Sequence, residues 1–174
     1  MTTTYEVADA QRDDNLLPVA EMISAYERGI DDLRSSVAGL SEDQLRLRPV
    51  FGKWSKLEVV CNIADCEQFF ADRIKRTAVM DRPLLIRAEG FRYPEALRYQ
   101  DHDLNEELDL VASTRRQMAR VLRLLPPDAW QLTAVHSETG LVTLRQLVLY
   151  VIKHLRHHLP FLAEKRAAMK GVVP

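Results

Sequence analysis

Two histidines near the end of the chain, His154 and His158, have the residue type and spacing of a metal-binding pair. Because they are four residues apart, their side chains lie one turn apart on the same face of a helix. Two imidazole nitrogens in this arrangement can reach a single ion, and imidazole is a good ligand for Zn²⁺ and Ni²⁺. The alternative is a pair of core histidines, each satisfied by a hydrogen bond.

The apolar pattern around the pair favours a buried location. With His154 at 0° on a helical wheel, His158 falls at about 40° and Val151 at about 60°, inside a sector of apolar residues. His157 falls about 60° to the other side, beside Lys153, where we expect solvent. Since a buried polar group needs a compensating partner, the pattern favours a divalent metal ion between His154 and His158.

Four amphipathic segments must position these residues. In each segment apolar side chains recur every three or four residues, which is the helical period. Ser or Thr capping boxes and an Asp cap predict where helices begin, at Ser41, Ser55, Asp103 and Thr143. The predicted long helices cover 19–40, 56–80, 104–125 and 144–169. We therefore predict an all-α, four-helix bundle with a long connection, 81–102, between its second and third helices.

Length and composition indicate a single soluble domain covering 1–174. The 24 basic and 25 acidic side chains nearly cancel, so we expect neither a nucleic-acid partner nor a membrane-surface partner. The N-terminal stretch lacks the pattern of a signal peptide, and no apolar run is long enough to span a bilayer. Cys61 and Cys66 are expected to be free thiols in a cytoplasmic protein.

Polar residues on the second helix lie where a bundle pocket is expected. Asn62 is at the pocket-side edge of the apolar sector, flanked by Glu58 and Asp65, with Cys66 near the apolar side. The amide oxygen of Asn62 is neutral, so it is a weaker ligand than imidazole, thiolate or carboxylate.

Two long charged side chains of opposite sign interrupt the core stripes of the second and third helices. Glu67 lies on the first of these stripes and Arg115 on the second. Since an unpaired buried charge is very costly, we predict that the two form an ion pair inside the bundle.

The second-helix residues resemble a known motif. The runs Gly52-Lys-Trp-Ser55 and Glu58-Val-Val, followed by Asn62-Ile-Ala-Asp-Cys-Glu67, resemble the second-helix motif of the DinB/YfiT-like superfamily. The late runs His136-Ser-Glu-Thr-Gly140 and His154-x-x-x-His158 resemble that family too. The resemblance extends over nearly the whole chain.

This resemblance implies a four-helix bundle, often a homodimer, with a divalent ion, usually Ni or Zn, held by three histidines. One histidine is on the second helix and two are on the fourth. Relatives include bacillithiol-dependent thiol-S-transferases, mycothiol-dependent isomerases and metal-dependent hydrolases without a known substrate. His154 and His158 match the two late ligands, but Asn62 stands at the position of the first.

Three arrangements are open at that position. Asn62 ligates through its oxygen, or a neighbour (Asp65, Glu58 or Cys66) takes its place, or the pair binds something other than a metal. The first functional hypothesis is a metal-dependent hydrolase or thiol-S-transferase acting on a small molecule, such as a low-molecular-weight thiol. Asp65 or Glu58 would then be the general base, and His136 an acid or substrate contact rather than a simple exposed loop residue.

The second hypothesis is a protein without catalytic activity. Its pocket, roofed by the 81–102 connection, would bind a small ligand or a stress signal, and its metal site would be degenerate. The substitution Asn62→His distinguishes the two hypotheses, because it should raise metal affinity only in a weakened metal enzyme.

Overall fold

Four long helices dominate the computed structural model, which describes residues 17–169. In chain order the helices are α1 (Val19–Val37), the short α2 (Glu42–Arg46), α3 (Lys56–Val79), the single turn α4 (Tyr93–Ala96), α5 (Leu104–Leu124) and α6 (Leu144–Met169). Helices α1 and α3 each pack against both α5 and α6. The predicted four-helix bundle is confirmed, and none of the helices within 17–169 is long and apolar enough to cross a membrane. The N-terminal stretch considered for a signal peptide lies outside the described residues.

The predicted helix starts are confirmed by their hydrogen bonds. At three of them the cap hydroxyl accepts a hydrogen bond from the backbone N–H of the residue three positions later. The side chain of that residue in turn accepts a hydrogen bond from the backbone N–H of the cap. These pairs are Ser41–Gln44, Ser55–Glu58 and Thr143–Gln146. Asp103 instead accepts the N–H groups of Asn105 and Glu106. Such caps satisfy donors that the first turn of a helix leaves unpaired.

The predicted ion pair between α3 and α5 is present in the core. Nε and Nη2 of Arg115 donate to Oε2 of Glu67, at 3.0 and 2.8 Å. The hydroxyl of Tyr26 on α1 donates to the other Glu67 oxygen, and Nη1 of Arg115 donates to the Tyr26 carbonyl at 2.8 Å. The pair therefore joins three of the four long helices.

A small three-stranded sheet lies beside the bundle, and its strands were not predicted. It consists of β1 (Leu84–Leu85), β2 (Thr133–His136) and β3 (Gly140–Thr143), in the order β1-β2-β3. Strand β1 is parallel to β2, which pairs antiparallel with β3. Strands of two to four residues are too short to show an alternating pattern in the sequence.

The connection between α3 and α5 folds across α3. The Tyr93 ring lies 5.9 Å from the ring of Phe69, and a Cβ atom at Gly90 would lie 3.5 Å from Nδ2 of Asn62. Tyr99 is fully buried. This segment thus covers the part of α3 that carries Asn62, as expected for a pocket roof.

Candidate metal centre

The side chains of His154 and His158 converge on one point. Their Nε2 atoms are 3.2 Å apart, and the two rings meet edge to face with centroids 4.7 Å apart. Two imidazole nitrogens bound at about 2.0–2.1 Å to one tetrahedral ion are separated by about 3.3 Å. The spacing of the two nitrogens therefore fits a shared ion.

Both rings are held in the neutral form that binds metals. Burial lowers the pKa of His154 to about 3, and the neighbouring His158 adds to this effect. Burial likewise lowers the pKa of His158 to about 4, with further contributions from His157 and Lys165. Because a metal ion competes with protons for these nitrogens, the pair is available to a metal throughout the neutral pH range.

Asn62 lies on α3, which packs against α6, the helix that carries the histidine pair. Helices α3 and α6 are antiparallel, since Phe70 packs 5.9 Å from the His154 ring while Lys53 pairs with Glu164 at 3.0 Å. Asn62 is two turns from Phe70, a rise of about 12 Å towards the Lys53 end. Its side chain is buried, and within 17–169 no group hydrogen-bonds with its amide. A buried amide without a partner is unusual, so its oxygen is available to an ion or ligand.

Glu58, predicted as a base, has both carboxylate oxygens engaged at the start of α3. Its Oε2 accepts the backbone N–H of Ser55 at 2.7 Å and Nε of Arg48 at 2.9 Å, and Oε1 accepts Nη2 of Arg48. Burial raises the pKa of Glu58, but the bonds from Arg48 and Ser55 outweigh it and lower the pKa below its ordinary value. In this structure Glu58 therefore caps α3, and its catalytic role stays a prediction.

Asp65 and His136 lie in different surroundings. Asp65 accepts the hydroxyl of Tyr99 from the connection. His136, at the end of β2, accepts the backbone N–H of Glu138 at 3.3 Å, and burial lowers its pKa. Within the described chain neither residue hydrogen-bonds with His154 or His158, so their catalytic roles also stay predictions.

The three proposed substitutes for the missing histidine, Asp65, Glu58 and Cys66, stay predictions. Among residues 17–169, one group of three His, Cys, Asp or Glu side chains has its ligand atoms within 4.8 Å of one another, and it is Cys61, His102 and Glu107. The group contains neither histidine of the pair. Sequence reasoning missed it because Cys61 is 41 residues before His102, and only the fold brings it to the His102–Glu107 pair.

Comparison with known proteins identifies the family. The model of the DinB superfamily matches residues 25–162. The chain belongs to the DinB superfamily. The match extends from α1 into the second half of α6 and includes Asn62, His154 and His158.

Other DinB-like proteins share the architecture. The chain is 23% identical over 165 residues to a protein of Oceanobacillus iheyensis named as a candidate metal-dependent hydrolase, covering 91% of this chain and 93% of that one. It also superposes on YfiT from Bacillus subtilis, with a TM-score of 0.80 and 23% identity over 87% of each chain. That protein is described as a probable metal-dependent hydrolase with an unusual four-helix bundle topology. A mycothiol-dependent maleylpyruvate isomerase superposes with a TM-score of 0.68 and 11% identity, over 84% of this chain and 61% of that one.

Proposed function

We propose that this DinB-superfamily protein is a metal-dependent enzyme that acts on a small molecule. The observation that carries the proposal is the pair of neutral imidazole nitrogens, 3.2 Å apart, on a partly buried face of α6. His154 and His158 would hold a divalent ion, Ni²⁺ or Zn²⁺, with the amide oxygen of Asn62 as a third ligand. Support also comes from the Oceanobacillus and Bacillus relatives, which are described as a candidate and a probable metal-dependent hydrolase.

The proposed reaction class rests on the open coordination positions of an ion held by only two or three protein ligands, because a water molecule or a substrate can bind there. The chemistry supplied by such an ion is a lowered pKa for a water molecule or a substrate thiol, which makes either one a nucleophile near neutral pH. Hydrolysis and thiol-S-transfer both need this nucleophile. Asp65 is the proposed base, since its carboxylate is on α3 one turn from Asn62 and is oriented by the Tyr99 hydroxyl.

A buried lysine near the pair favours a substrate with an anionic group. Lys165 is 2% exposed, and its ammonium lies 3.5 Å from the carbonyl oxygen of Phe161. Within 17–169 no carboxylate is within ion-pair distance of it. Its charge contributes to the lowered pKa of His158, so a substrate carboxylate or phosphate bound here would offset a buried positive charge.

The second candidate is a binding protein without catalytic activity. It is favoured by the amide of Asn62 in place of an imidazole, and by Gly90, which brings the connection close to that amide. In this case the pocket would hold a small ligand, and the metal site would be degenerate.

The family resemblance also leads us to propose that the protein is cytoplasmic and forms a homodimer. Light scattering that finds only monomers would disprove the homodimer.

The deciding experiment is elemental analysis of protein purified without a histidine tag, beside His154→Ala, His158→Ala and Asn62→His. We expect bound Ni or Zn in the wild type, loss of one equivalent in each alanine variant, and tighter binding in Asn62→His. If the alanine variants keep the full metal content of the wild type, the proposed centre is wrong. If Asn62→His leaves metal affinity unchanged or lowers it, the binding-protein hypothesis takes its place.

A further inference from the structure

A second group of metal-ligating side chains lies between α3, the connection and α5. It consists of Cys61 on α3, His102 at the end of the connection and Glu107 in the first turn of α5. Their ligand atoms are all within 4.8 Å of one another. Cys61 is 1% exposed, while His102 and Glu107 are partly buried. Three ligand types from three separate elements thus meet at one point.

His102 has the hydrogen bonding expected of a metal ligand. Its Nε2 atom is 3.0 Å from the backbone carbonyl of Leu97, and its Nδ1 atom is 2.8 Å from Oε1 of Glu107. Ligating histidines commonly donate the N–H of their other ring nitrogen to a carbonyl, which fixes the tautomer and the ring orientation. With Nε2 donating to Leu97, Nδ1 points at the position between Glu107 and Cys61.

A cation bound here would compete with protons for these side chains. Burial lowers the pKa of His102, but the bond with Glu107 outweighs it and raises the pKa above its ordinary value. The thiol of Cys61 has a weak contact of 3.8 Å with the carbonyl oxygen of Tyr99, and burial together with Glu107 raises its pKa. A divalent ion would replace the thiol proton of Cys61 and would favour the His102 tautomer with its free lone pair on Nδ1.

The ligand set matches zinc. Thiolate, imidazole and carboxylate bind Zn²⁺ at about 2.3, 2.0–2.1 and 2.0–2.2 Å, which places neighbouring ligand atoms about 3.3–3.7 Å apart. Nδ1 of His102 and Oε1 of Glu107, now 2.8 Å apart, would separate slightly around an ion, and both partly exposed side chains can close any remaining distance to Cys61. A cavity of about 200 Å³, lined by His102, Asp103 and Leu57 among others, lies on the His102 side of the group.

We propose that Cys61, His102 and Glu107 form a second zinc site, distinct from the His154–His158 centre. Zinc there would bind the end of the connection to both α3 and α5. Tyr99, three residues before His102, donates its hydroxyl to Asp65, so the site would also hold the connection that covers Asn62. The function of this site is to fix the pocket roof, independently of what the His154–His158 centre does.

The test uses Co²⁺ as a probe, because a thiolate ligand gives cobalt a near-ultraviolet charge-transfer band that imidazole and amide ligands do not. Metal-free full-length protein is titrated with CoCl₂ as wild type, as His154→Ala/His158→Ala, as Cys61→Ser and as Cys66→Ser. Cys66 is the matched control, since it is a free cysteine on the same helix, outside the group. Circular dichroism establishes that each variant is folded.

We expect the thiolate band in the wild type, in the double histidine variant and in Cys66→Ser, and its loss in Cys61→Ser. Glu107→Gln, on the partly exposed side of the group, should weaken Zn²⁺ binding in the double histidine variant by at least tenfold. Absence of the band in the wild type, or its survival in Cys61→Ser, would overturn the proposal. Because the double histidine variant lacks the first centre, failure here is distinguishable from failure of the proposed function.

Discussion

Arg115 of α5 and Glu67 of α3 form an ion pair in the middle of the bundle, with side chains 1% and 2% exposed. Both charges are fully engaged, since Tyr26 provides a hydroxyl to Glu67 and a carbonyl to Arg115. The guanidinium also lies 4.8 Å from the centroid of the Tyr26 ring. Buried pairs of this kind are costly to break, because the remaining charge is left without a partner.

Breaking the pair on one side should destabilise the protein strongly. We expect Arg115→Met or Glu67→Gln to lower the free energy of unfolding by about 3–5 kcal/mol. The double variant Glu67→Leu/Arg115→Met should recover most of this loss, because it leaves no unpaired buried charge. Urea denaturation measures all three, and an unchanged midpoint in either single variant would contradict the role assigned to the pair.

The position of Arg115 requires a glycine on α1. A Cβ atom at Gly29 would lie 2.2 Å from Nη1 of Arg115 and 2.6 Å from Cδ2 of Leu155. Since Arg115 is held by Glu67 and cannot move away freely, we expect Gly29→Ala to cost about 1–3 kcal/mol. Gly90→Ala is the matched control, because its nearest described neighbour is at an ordinary contact distance of 3.5 Å.

The cost of Gly29→Ala should also depend on Arg115. In the Arg115→Met background the shorter, uncharged side chain can move aside. The double variant should therefore lose less free energy of unfolding than the two single variants lose together. Strict additivity in urea denaturation would mean that the contact with Leu155 alone excludes a side chain at position 29.

The bundle could be predicted from the sequence because its signals are local. Ser55 and Glu58 are three residues apart, and the apolar stripes repeat within single helices, so both are legible without a structure. The Glu67–Arg115 pair was also predictable, because each charge interrupts an otherwise apolar stripe. His154 and His158 were found by their spacing alone, and their converging nitrogens agree with it.

The remaining features depend on residues that only the fold brings together. Strand β1 has two residues, and its partner β2 follows about fifty residues later, so neither shows a strand pattern by itself. Cys61 and His102 are likewise 41 positions apart and meet because the connection folds back across α3. Glu58 was placed correctly as a capping residue, but the sequence could not show that Arg48 also occupies its carboxylate.

Metal retention by the histidine pair should extend to unusually acidic pH. An ordinary histidine is protonated below about pH 6.5, whereas burial lowers the pKa of His154 to about 3 and that of His158 to about 4. Protons therefore compete with the metal only as the pH approaches 4. We expect Ni²⁺ content in Cys61→Ser, measured after equilibrium dialysis, to stay constant from pH 7.5 to about 5. A midpoint of metal loss near pH 6.5 would contradict the burial assigned to these rings.

A buried lysine at the start of α3, whose ammonium lies near the end of α1, should make stability rise with pH in the alkaline range. Lys56 is 1% exposed, and its ammonium donates to the Ser36 carbonyl at 2.9 Å, near the C-terminus of α1. Burial, with the neighbouring charges of Arg166 and Lys165, lowers the pKa of Lys56 to about 8. Its pKa in the unfolded chain is near 10.4, so between about pH 8 and 10 the unfolded state binds more protons than the native state, and stability increases with pH.

The comparison with Lys56→Met isolates this effect, because every other titrating group is common to the two proteins. The free energy of unfolding of the wild type minus that of the variant should rise from pH 8 to pH 10, at no more than about 1.4 kcal/mol per pH unit. At pH 7 the substitution has two opposing effects: loss of the hydrogen bond to Ser36 lowers the stability, and removal of a buried charge raises it. Urea denaturation at half-unit pH steps measures the difference, and a flat or falling difference would show that the Lys56 ammonium is solvated in the native protein.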